Sequence, residues 1–353
     1  MRHNRGIPSL IITLLTSAAM LVCAYAGHID PRTMGWTAVA ALGFPIMLVI
    51  ALLVLICLVL LKRFKYAMGL ALAILISMPT ILVHVPMSLT RHTPEEGDTT
   101  LTVLTWNVIG FEPMDGTRDF ITMRHLLDID ADVVLLQEGL FDKDDILKQR
   151  GVVPYRDEVS RQYPFHSHGF QDLMIMSKYP YTVVPTDSLR QDHGVVDGND
   201  SYHTYCKAFD VSIKGRVVRF IDVHLQSIGI DQEDSKSGKS LVHKVQYAAK
   251  RRANEARMVR NFIDSCPRDV ILCGDFNDGP ATYSYRTVLG DDLTDAYKEC
   301  AFGPSNTYYH HNLYFRIDHV MYRGDLQAYS CECPIAGNSD HYPVLTRFKM
   351  TRK

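Results

Sequence analysis

The segment Asp269–Asn277, "DVILCGDFN", joins a short apolar run to polar residues at its end. Val270 to Cys273 are apolar, and Asp275 and Asn277 follow the next glycine. Short apolar runs bounded by Gly, Asp and Asn are typical of buried strands. The segment therefore predicts a strand that carries polar side chains to one edge of a sheet. The alternative is a plain turn, since the same three residue types favour turns.

The same pattern recurs elsewhere along the 353-residue chain. Strand-like runs end or begin at six more polar residues: Asn107 in "LTVLTWN", Glu138 in "VVLLQE", His224 in "RFIDVH", Asp318 in "RIDHV", and Asp340 with His341 in "SDHYPV". Each could separately be an exposed strand end, a core histidine or a surface ion pair. Together they indicate one cleft, because strand ends gathered at the edge of packed sheets hold distant residues in fixed geometry.

The order of the elements predicts the fold class. "LTVLTW", a helical "TRDFITMRHLLDI" and "ADVVLLQE" form a strand–helix–strand unit, and "KGR" joins two strands as a hairpin. A long helix is predicted from about Gly238 to Ser265, with an apolar stripe at Val242, Val245, Ala249, Ala256, Val259 and Ile263. We therefore predict an α/β fold of two packed sheets covered by helices. Arg190–Thr204 is polar and is predicted to form a loop at the rim of the cleft.

The first ninety residues have a different character. Ile7–Ala26 and Met34–Leu61 contain no charged residue, and each is long enough to cross a bilayer. We predict about three transmembrane helices, at about residues 7–26, 34–61 and 67–87. The predicted domains are a membrane region over residues 1–90, a polar linker over 88–100 and a catalytic domain over 101–350.

The basic residues predict the orientation of this region. Arg2 and Arg5 at the start and three basic residues after the second run outnumber Arg32 in the intervening loop. The positive-inside rule then places the N-terminus in the cytoplasm. We expect a multi-pass membrane protein, in the inner membrane if the source is bacterial, with the catalytic domain on the periplasmic side. The alternative for the first run is a signal peptide cleaved near "AYAG".

Charge and donor chemistry narrow the function. Residues 1–90 hold six of the 37 Lys and Arg and one of the 39 Asp and Glu, so the remainder carries a net charge of −7. This disfavours a general polynucleotide binder, which is usually basic. Asn, Asp and Glu offer hard oxygen ligands that suit Mg²⁺ or Mn²⁺. Histidines beside such an ion indicate metal-assisted hydrolysis of a phosphoester.

Seven motifs in order resemble the endonuclease/exonuclease/phosphatase superfamily: "TWN", "LLQE", "MSKYP", "DVHL", "GDFND", "RIDHV" and "SDHYPV". The resemblance covers about Leu101 to Phe348 and none of the membrane region. It implies a four-layer α/β sandwich, with two mixed sheets flanked by helices. It also implies three metal-site residues: Glu138 as principal ligand, Asn107 close to the ion and Asp340 as a further carboxylate.

The resemblance implies five catalytic residues. His224 is similar to the histidine that contacts the scissile phosphate, and Asp275 to the residue that orients or deprotonates the attacking water. Asn277 resembles the amide that binds a phosphate oxygen. Asp318 looks like the partner of His341, which acts as general acid/base or stabilises charge in the transition state. The segment "FQDLMIMSKYP" departs from the family pattern before "SKYP".

Three functions fit these residues. The first is a membrane-anchored phosphoesterase acting on a lipid head group or a small soluble phosphodiester or phosphomonoester. The second is an extracytoplasmic DNA or RNA nuclease, which would share every catalytic residue but would favour a basic, aromatic groove. The third is an inactive membrane interaction protein, which is disfavoured because all eight positions hold chemically suitable residues.

Overall fold

The structure, a computed structural model, describes most of the chain. The described residues are 6–89, 92–111, 121–139, 156–167, 172–186, 189, 191–196, 199–203, 205–229, 240–310 and 313–350. Arg2 and Arg5, used above to predict the orientation, lie outside these residues. So does the first part of the predicted helix "TRDFITMRHLLDI".

The described residues contain ten α-helices. They are α1 (Ile7–Tyr25), α2 (Trp36–Leu42), α3 (Phe44–Leu60), α4 (Phe64–Ile76), α5 (Met78–His84), α6 (Ile121–Ile129), α7 (Arg156–Gln162), α8 (Leu241–Asp264), α9 (Tyr283–Leu289) and α10 (Ala296–Cys300).

The same residues contain sixteen strands. They are β1 (Thr99–Asn107), β2 (Val133–Gln137), β3 (Phe165–His166), β4 (Leu173–Ser177), β5 (Tyr181–Val184), β6 (Gln191–Val196), β7 (Asn199–His203), β8 (Cys206–Ile213), β9 (Arg216–His224), β10 (Asp269–Asp275), β11 (Thr294–Asp295), β12 (Tyr308–His310), β13 (Leu313–Phe315), β14 (Asp318–Arg323), β15 (Leu326–Glu332) and β16 (Val344–Met350).

Two six-stranded sheets form the centre of the domain that follows the N-terminal helices. Sheet I has the order β15-β16-β1-β2-β4-β3, and sheet II has the order β11-β14-β10-β9-β8-β5. In each sheet one parallel pair, β1 with β2 and β9 with β10, lies among antiparallel neighbours. A parallel pair needs a crossover connection, which helices α6 and α8 supply. Both sheets are therefore mixed, as predicted.

Three apolar layers hold these sheets and helices together. Between the sheets, residues such as Val103 and Leu135 of sheet I and Phe220 and Ile271 of sheet II form one buried cluster. A second cluster joins sheet II to α8 and α9, and a third joins sheet I to α6 and α7. The architecture is thus helix, sheet, sheet, helix, which confirms the predicted four-layer α/β sandwich.

Local predictions had mixed outcomes. Helix α8 begins after Ser240, whose side chain accepts a hydrogen bond from the backbone N–H of His243, and it buries the predicted stripe except Val242. The prediction of a loop over Arg190–Thr204 is wrong, because β6 and β7 pair there as an antiparallel hairpin. This hairpin belongs to neither large sheet. It therefore does not need the apolar alternation by which strands are recognised.

The N-terminal helices differ from three straight spans. Helix α1, extended by a short 3₁₀ turn to His28, is long and apolar enough to cross a membrane. The second predicted span bends by 56° between α2 and α3, and the third by 61° between α4 and α5. Counting each bent pair as one gives up to three spans among the described residues.

The N-terminal region is attached to the following domain by polar contacts. The Tyr283 hydroxyl donates to Asp30, and Arg32 Nη1 donates to Asn254 Oδ1 at 2.6 Å. Buried Arg316 donates to the carbonyl of Val83, near the end of α5, at 2.8 Å. The region therefore contacts the following domain at several points in addition to the covalent connection.

A carboxyl group lies buried between the two sheets. Asp222 of β9 is fully buried, and its Oδ1 accepts a hydrogen bond from Gln137 Nε2 of β2 at 2.5 Å. Its Oδ2 has no hydrogen-bond partner among the described residues. Burial raises the pKa of Asp222 well above its ordinary value of 3.8. The folded protein therefore retains a proton here that the unfolded chain releases.

This proton makes a testable contribution to stability. Above pH 3.8 the ionisation of Asp222 lowers the free energy of the unfolded chain but not that of the folded protein. The free energy of unfolding therefore falls as pH rises toward the folded-state pKa. Asp222→Asn should remove this loss, which is about 1.4 kcal/mol per pH unit in that window. The variant should be more stable than the wild type at pH 7. Denaturant unfolding of the full chain across a pH series measures the difference, with exposed Asp291→Asn as the control. Identical pH slopes for wild type and Asp222→Asn would contradict this assignment.

Candidate active site

The two parallel strand pairs end at the same edge of the sandwich. In sheet I, Asn107 lies opposite Gln137, and Glu138 follows directly. In sheet II, Asp275 lies opposite His224. Cross-sheet contacts join these ends, since Asn107 Nδ2 donates to Asp275 Oδ2 at 3.2 Å. The carboxyl ends of parallel strands are where α/β proteins commonly form their sites.

Unusual backbone conformations position these side chains. Gly274 has φ of 136°, and a Cβ there would lie 2.0 Å from the Val223 carbonyl oxygen, so only glycine allows β10 to approach β9 this closely. Glu138 and Asn277 also have positive φ, 52° and 51°. For non-glycine residues this conformation costs roughly 1–2 kcal/mol each. Such strain collects at functional positions, where surrounding contacts hold it.

His341 is held by Asp318. Its Nδ1 lies 3.0 Å from Asp318 Oδ2, and both residues are buried. Burial lowers the pKa of His341, but the charges of Asp318 and Asp275 outweigh it and raise the pKa to about 9. The Thr307 hydroxyl accepts the backbone N–H of Asp318 at 3.0 Å. The imidazole is therefore fixed in orientation and protonated at neutral pH.

His224 has a matching partner that the sequence did not reveal. Its Nδ1 lies 3.1 Å from Oδ2 of Asp172, which directly precedes β4. Burial lowers the pKa of His224, but Asp172, Asp275 and Glu138 outweigh it and raise the pKa to about 10. Asp172 lies in the segment that departs from the family motif. Its sequence signal is an acid directly before an apolar strand.

Both imidazoles point at one carboxylate. His224 Nε2 and His341 Nε2 each lie 3.7 Å from Asp275 Oδ2. Burial raises the pKa of Asp275, while the two imidazolium charges oppose that rise. Asp275, Asp318 and His341 also hold one potential ligand atom each within 4.8 Å of one another. The centre thus places two imidazoles and three carboxyl groups, those of Asp172, Asp275 and Asp318, in a small volume.

Two further carboxylates border this centre. Glu138 has a side chain that is 43% exposed, and its Oε1 accepts from Asn107 Nδ2 at 3.1 Å. Asp340 Oδ1 is buried without a hydrogen-bond partner among the described residues and lies 3.9 Å from His341 Nε2. Burial and neighbouring carboxylates raise the pKa of Asp340 to about 6. An unsatisfied carboxylate oxygen of this kind fits a cation ligand.

Asn107 presents its amide nitrogen to the carboxylates. Its Nδ2 donates to Glu138 and Asp275, and its Oδ1 accepts the backbone N–H of Ile109. In this geometry Asn107 orients two carboxylates. Direct coordination of an ion through its oxygen would require the amide to turn over.

Asn277 and His319 are engaged locally. The backbone N–H of Asn277 donates to Asp275 Oδ1 at 2.7 Å, and its Nδ2 donates to the Leu225 carbonyl at 2.9 Å. His319 is buried against Phe276, and its Nε2 lies 3.1 Å from the Asp278 carbonyl. Burial lowers the pKa of His319 to about 3. It is therefore a neutral core histidine that supports the segment after Asp275.

All eight residues proposed from the sequence lie at this edge of the sandwich. Ser339 connects two of them, because its hydroxyl donates to the Asn107 carbonyl and accepts the backbone N–H of His341. The Trp106 indole donates to the His341 carbonyl at 2.8 Å. Neither Thr307 nor Ser339 was among the residues proposed from the sequence, because their hydroxyl groups act only through backbone contacts.

Comparison with known families identifies the fold and its chemistry. The family described as "Endonuclease/Exonuclease/phosphatase family" matches residues 104–341. The chain belongs to this family. Members of this family are hydrolases that act on phosphate ester bonds and use divalent metal ions. A separate family, "Domain of unknown function (DUF8431)", matches residues 5–84.

Similar proteins were found at low coverage or low identity. A UPF0294 protein of Vibrio cholerae is 39% identical over 83 residues, which cover 23% of this chain and 28% of that protein. The match thus spans little more than a quarter of the curated relative. Among solved structures, an endonuclease/exonuclease/phosphatase from Bacteroides vulgatus gives a TM-score of 0.48 at 18% identity, covering 72% of this chain and 100% of that chain. A mannosyl-6-phosphatase of Bacteroides thetaiotaomicron gives 0.45 at 16% identity, covering 70% and 99%.

The pairing of His224 with Asp172 predicts a measurable loss of activity. Asp172→Asn keeps the shape of the side chain but removes the charge that holds the imidazole protonated and oriented. We expect kcat/KM for a phosphodiester to fall about 100- to 10,000-fold. Asp172→Glu should restore part of the loss, and exposed Asp157→Asn should have no effect. Steady-state kinetics across a pH series measures this, and an unchanged kcat/KM in Asp172→Asn would refute the role.

Proposed function

We propose that the protein is a membrane-anchored, divalent-metal-dependent phosphoesterase that hydrolyses a phosphodiester or phosphomonoester in a lipid head group or small soluble molecule. The observation that carries this proposal is the convergence of two carboxylate-held imidazoles on Asp275. Two fixed cations suit a phosphate group, and a carboxylate between them suits an attacking water. Water would attack phosphorus with assistance from the metal and the histidines.

The catalytic roles follow from the contacts. Asp275 would orient the water or accept its proton. Its Oδ2 accepts a hydrogen bond from Asn107 Nδ2 and lies 3.7 Å from Nε2 of each histidine. His224, cationic at neutral pH, would contact the scissile phosphate. His341 would stabilise transition-state charge or donate a proton to the leaving oxygen, with Asp318 holding its orientation. Asn277 would bind a phosphate oxygen and already holds Asp275 in place.

The ion would bind at the outer carboxylates. Glu138 is partly exposed, and Asp340 offers an unsatisfied oxygen, whereas Asp318 is already paired with His341. Asn107 would complete the site by orienting Glu138. These are hard oxygen donors, which favour Mg²⁺ or Mn²⁺. When bound, such an ion would supply positive charge for a phosphate oxygen.

The membrane anchoring is supported by the outer surface of the N-terminal helices. Their small inner cluster includes Met20, Phe44 and Leu70. Large apolar side chains such as Leu15 of α1 and Ile46 of α3 face outward instead. Contiguous exposed apolar surface of this kind marks a membrane or protein contact. The anchor would hold the catalytic domain beside the bilayer on its periplasmic side, in the inner membrane of a bacterium.

Activity should depend on the ion and on both sides of the centre. The full chain in detergent should hydrolyse bis(p-nitrophenyl) phosphate with Mg²⁺ or Mn²⁺, and a chelator should stop the reaction. Glu138→Ala and His341→Ala should each reduce kcat at least about 1,000-fold, because each removes a group at the reacting centre. Exposed Glu158→Ala and His243→Ala are the matched controls. Full activity in both site variants would overturn the assignment.

The orientation has its own test. A reporter enzyme that works only after export should be active when it is fused after Thr90. The distribution of Lys and Arg places the N-terminus in the cytoplasm, and three spans would then carry Thr90 to the opposite side of the membrane. Parallel fusions of alkaline phosphatase and a cytoplasmic fluorescent protein at this position give opposite readouts. Fluorescence without phosphatase activity would contradict the periplasmic location.

A further inference from the structure

A second concavity lies beside the catalytic centre. It has a volume of about 750 Å³ and is lined by aromatic and apolar residues such as Tyr297, Phe302, Ile335 and Tyr342 and by polar residues such as Asn306 and Glu332. We call it the side cavity. Its volume falls within the range of about 300–1,000 Å³ that is typical of pockets for organic ligands. None of its lining residues belongs to the eight proposed for the reaction.

The side cavity shares a wall with the catalytic centre. Tyr342 lines the cavity and directly follows His341, and its backbone N–H donates to the Thr307 carbonyl at 2.7 Å. The Thr307 hydroxyl in turn holds the backbone of Asp318. The Tyr308 ring lies 4.8 Å from the His341 ring. A single extended molecule could therefore have one part in the cavity and another at the histidines.

The lining at Ala301 and Phe302 is bound to the end of the N-terminal region. The backbone N–H of Ser88 donates to the Ala301 carbonyl at 3.1 Å, and that of Gly303 donates to Pro86 at 2.8 Å. Between them Met87 and Phe302 form an antiparallel bridge. Helix α5 ends at His84, three residues before Met87. At about 3.3 Å per extended residue, the rim lies roughly 10 Å from the end of this helix.

The rim carries exposed apolar side chains. Phe302 is 72% exposed and Ile335 is 85% exposed, and Met87 and Leu89 of the connecting segment are also exposed. Phe302 and Ile335 line the cavity and Met87 pairs with Phe302, and exposed apolar side chains collected in this way would be unfavourable in water. Their position beside the end of a proposed membrane span favours a lipid phase as the partner.

We propose that the side cavity binds the apolar tail of an amphiphilic substrate whose phosphate ester lies at His224 and His341. This inference rests on the proposed function and specifies its substrate class as a membrane lipid. The tail would enter from the bilayer over Phe302 and Ile335. The polar lining near Asn306, one residue before Thr307, would face the head-group end.

The test compares chain lengths at the same reacting bond. The full chain in lipid nanodiscs is assayed with p-nitrophenyl butyl phosphate and p-nitrophenyl decyl phosphate, with Mg²⁺ or Mn²⁺. Each additional methylene buried in the cavity should raise kcat/KM by up to about fourfold, so the wild type should prefer the decyl ester. Phe302→Ser and Ile335→Ser should each lower the decyl-to-butyl ratio about tenfold. Using the ratio cancels differences in the amount of folded enzyme.

A matched control separates cavity binding from partitioning into the bilayer. Val183 is 66% exposed on β5, at the far edge of sheet II, and Val183→Ser should leave the ratio unchanged. An unchanged ratio in both cavity variants would overturn tail binding while leaving the phosphoesterase proposal intact. An equal fall of the decyl-to-butyl ratio in Val183→Ser would also overturn tail binding and leave the phosphoesterase proposal intact. If the wild type cleaves neither ester, the proposed function fails, and tail binding fails with it.

Discussion

The active centre depends on two histidine–carboxylate pairs that cross between the sheets. Asp172 precedes β4 of sheet I and holds His224 at the end of β9 of sheet II. Asp318 begins β14 of sheet II and holds His341, which precedes β16 of sheet I. Neither sheet can form the site alone. Burying such charges is costly unless geometry and hydrogen bonds are good, so the spacing of the sandwich layers directly controls the chemistry.

Much of this arrangement could be predicted from the sequence, for a physical reason. An apolar run that leads to Asn107, Glu138 or Asp275 predicts a strand, and it also predicts that the polar residue lies at the end of that strand. Asp172 shows the limit. Its partner His224 is 52 residues away along the chain. The two residues meet only because the sheets that contain β4 and β9 pack against each other. The direction of the Asn107 amide likewise depends on contacts that sequence pattern does not encode.

The bends in the N-terminal helices show another limit of prediction from sequence pattern. A run without charged residues predicts a segment long enough to span a bilayer, but it does not predict whether that segment forms one straight helix. Helices α3 and α5 each begin with a proline in the first turn, Pro45 and Pro79, and the bends occur there. Proline is compatible with the start of a helix and disrupts its interior, so each apolar run is divided. The signal was present in the sequence, but charge-free runs alone do not use it.

The hydrogen bond from Arg316 to the Val83 carbonyl has a consequence for how an anchored enzyme would search for substrate. The same guanidinium contacts Asp295, and Asp318 lies only two residues further along the chain. Arg316 thereby holds the catalytic domain against the N-terminal helices in addition to the covalent connection. The histidines of that domain would remain at one fixed height above the lipid head groups. Substrates would be sampled by two-dimensional diffusion past a stationary centre, and a phosphate presented far above that plane would rarely be reached.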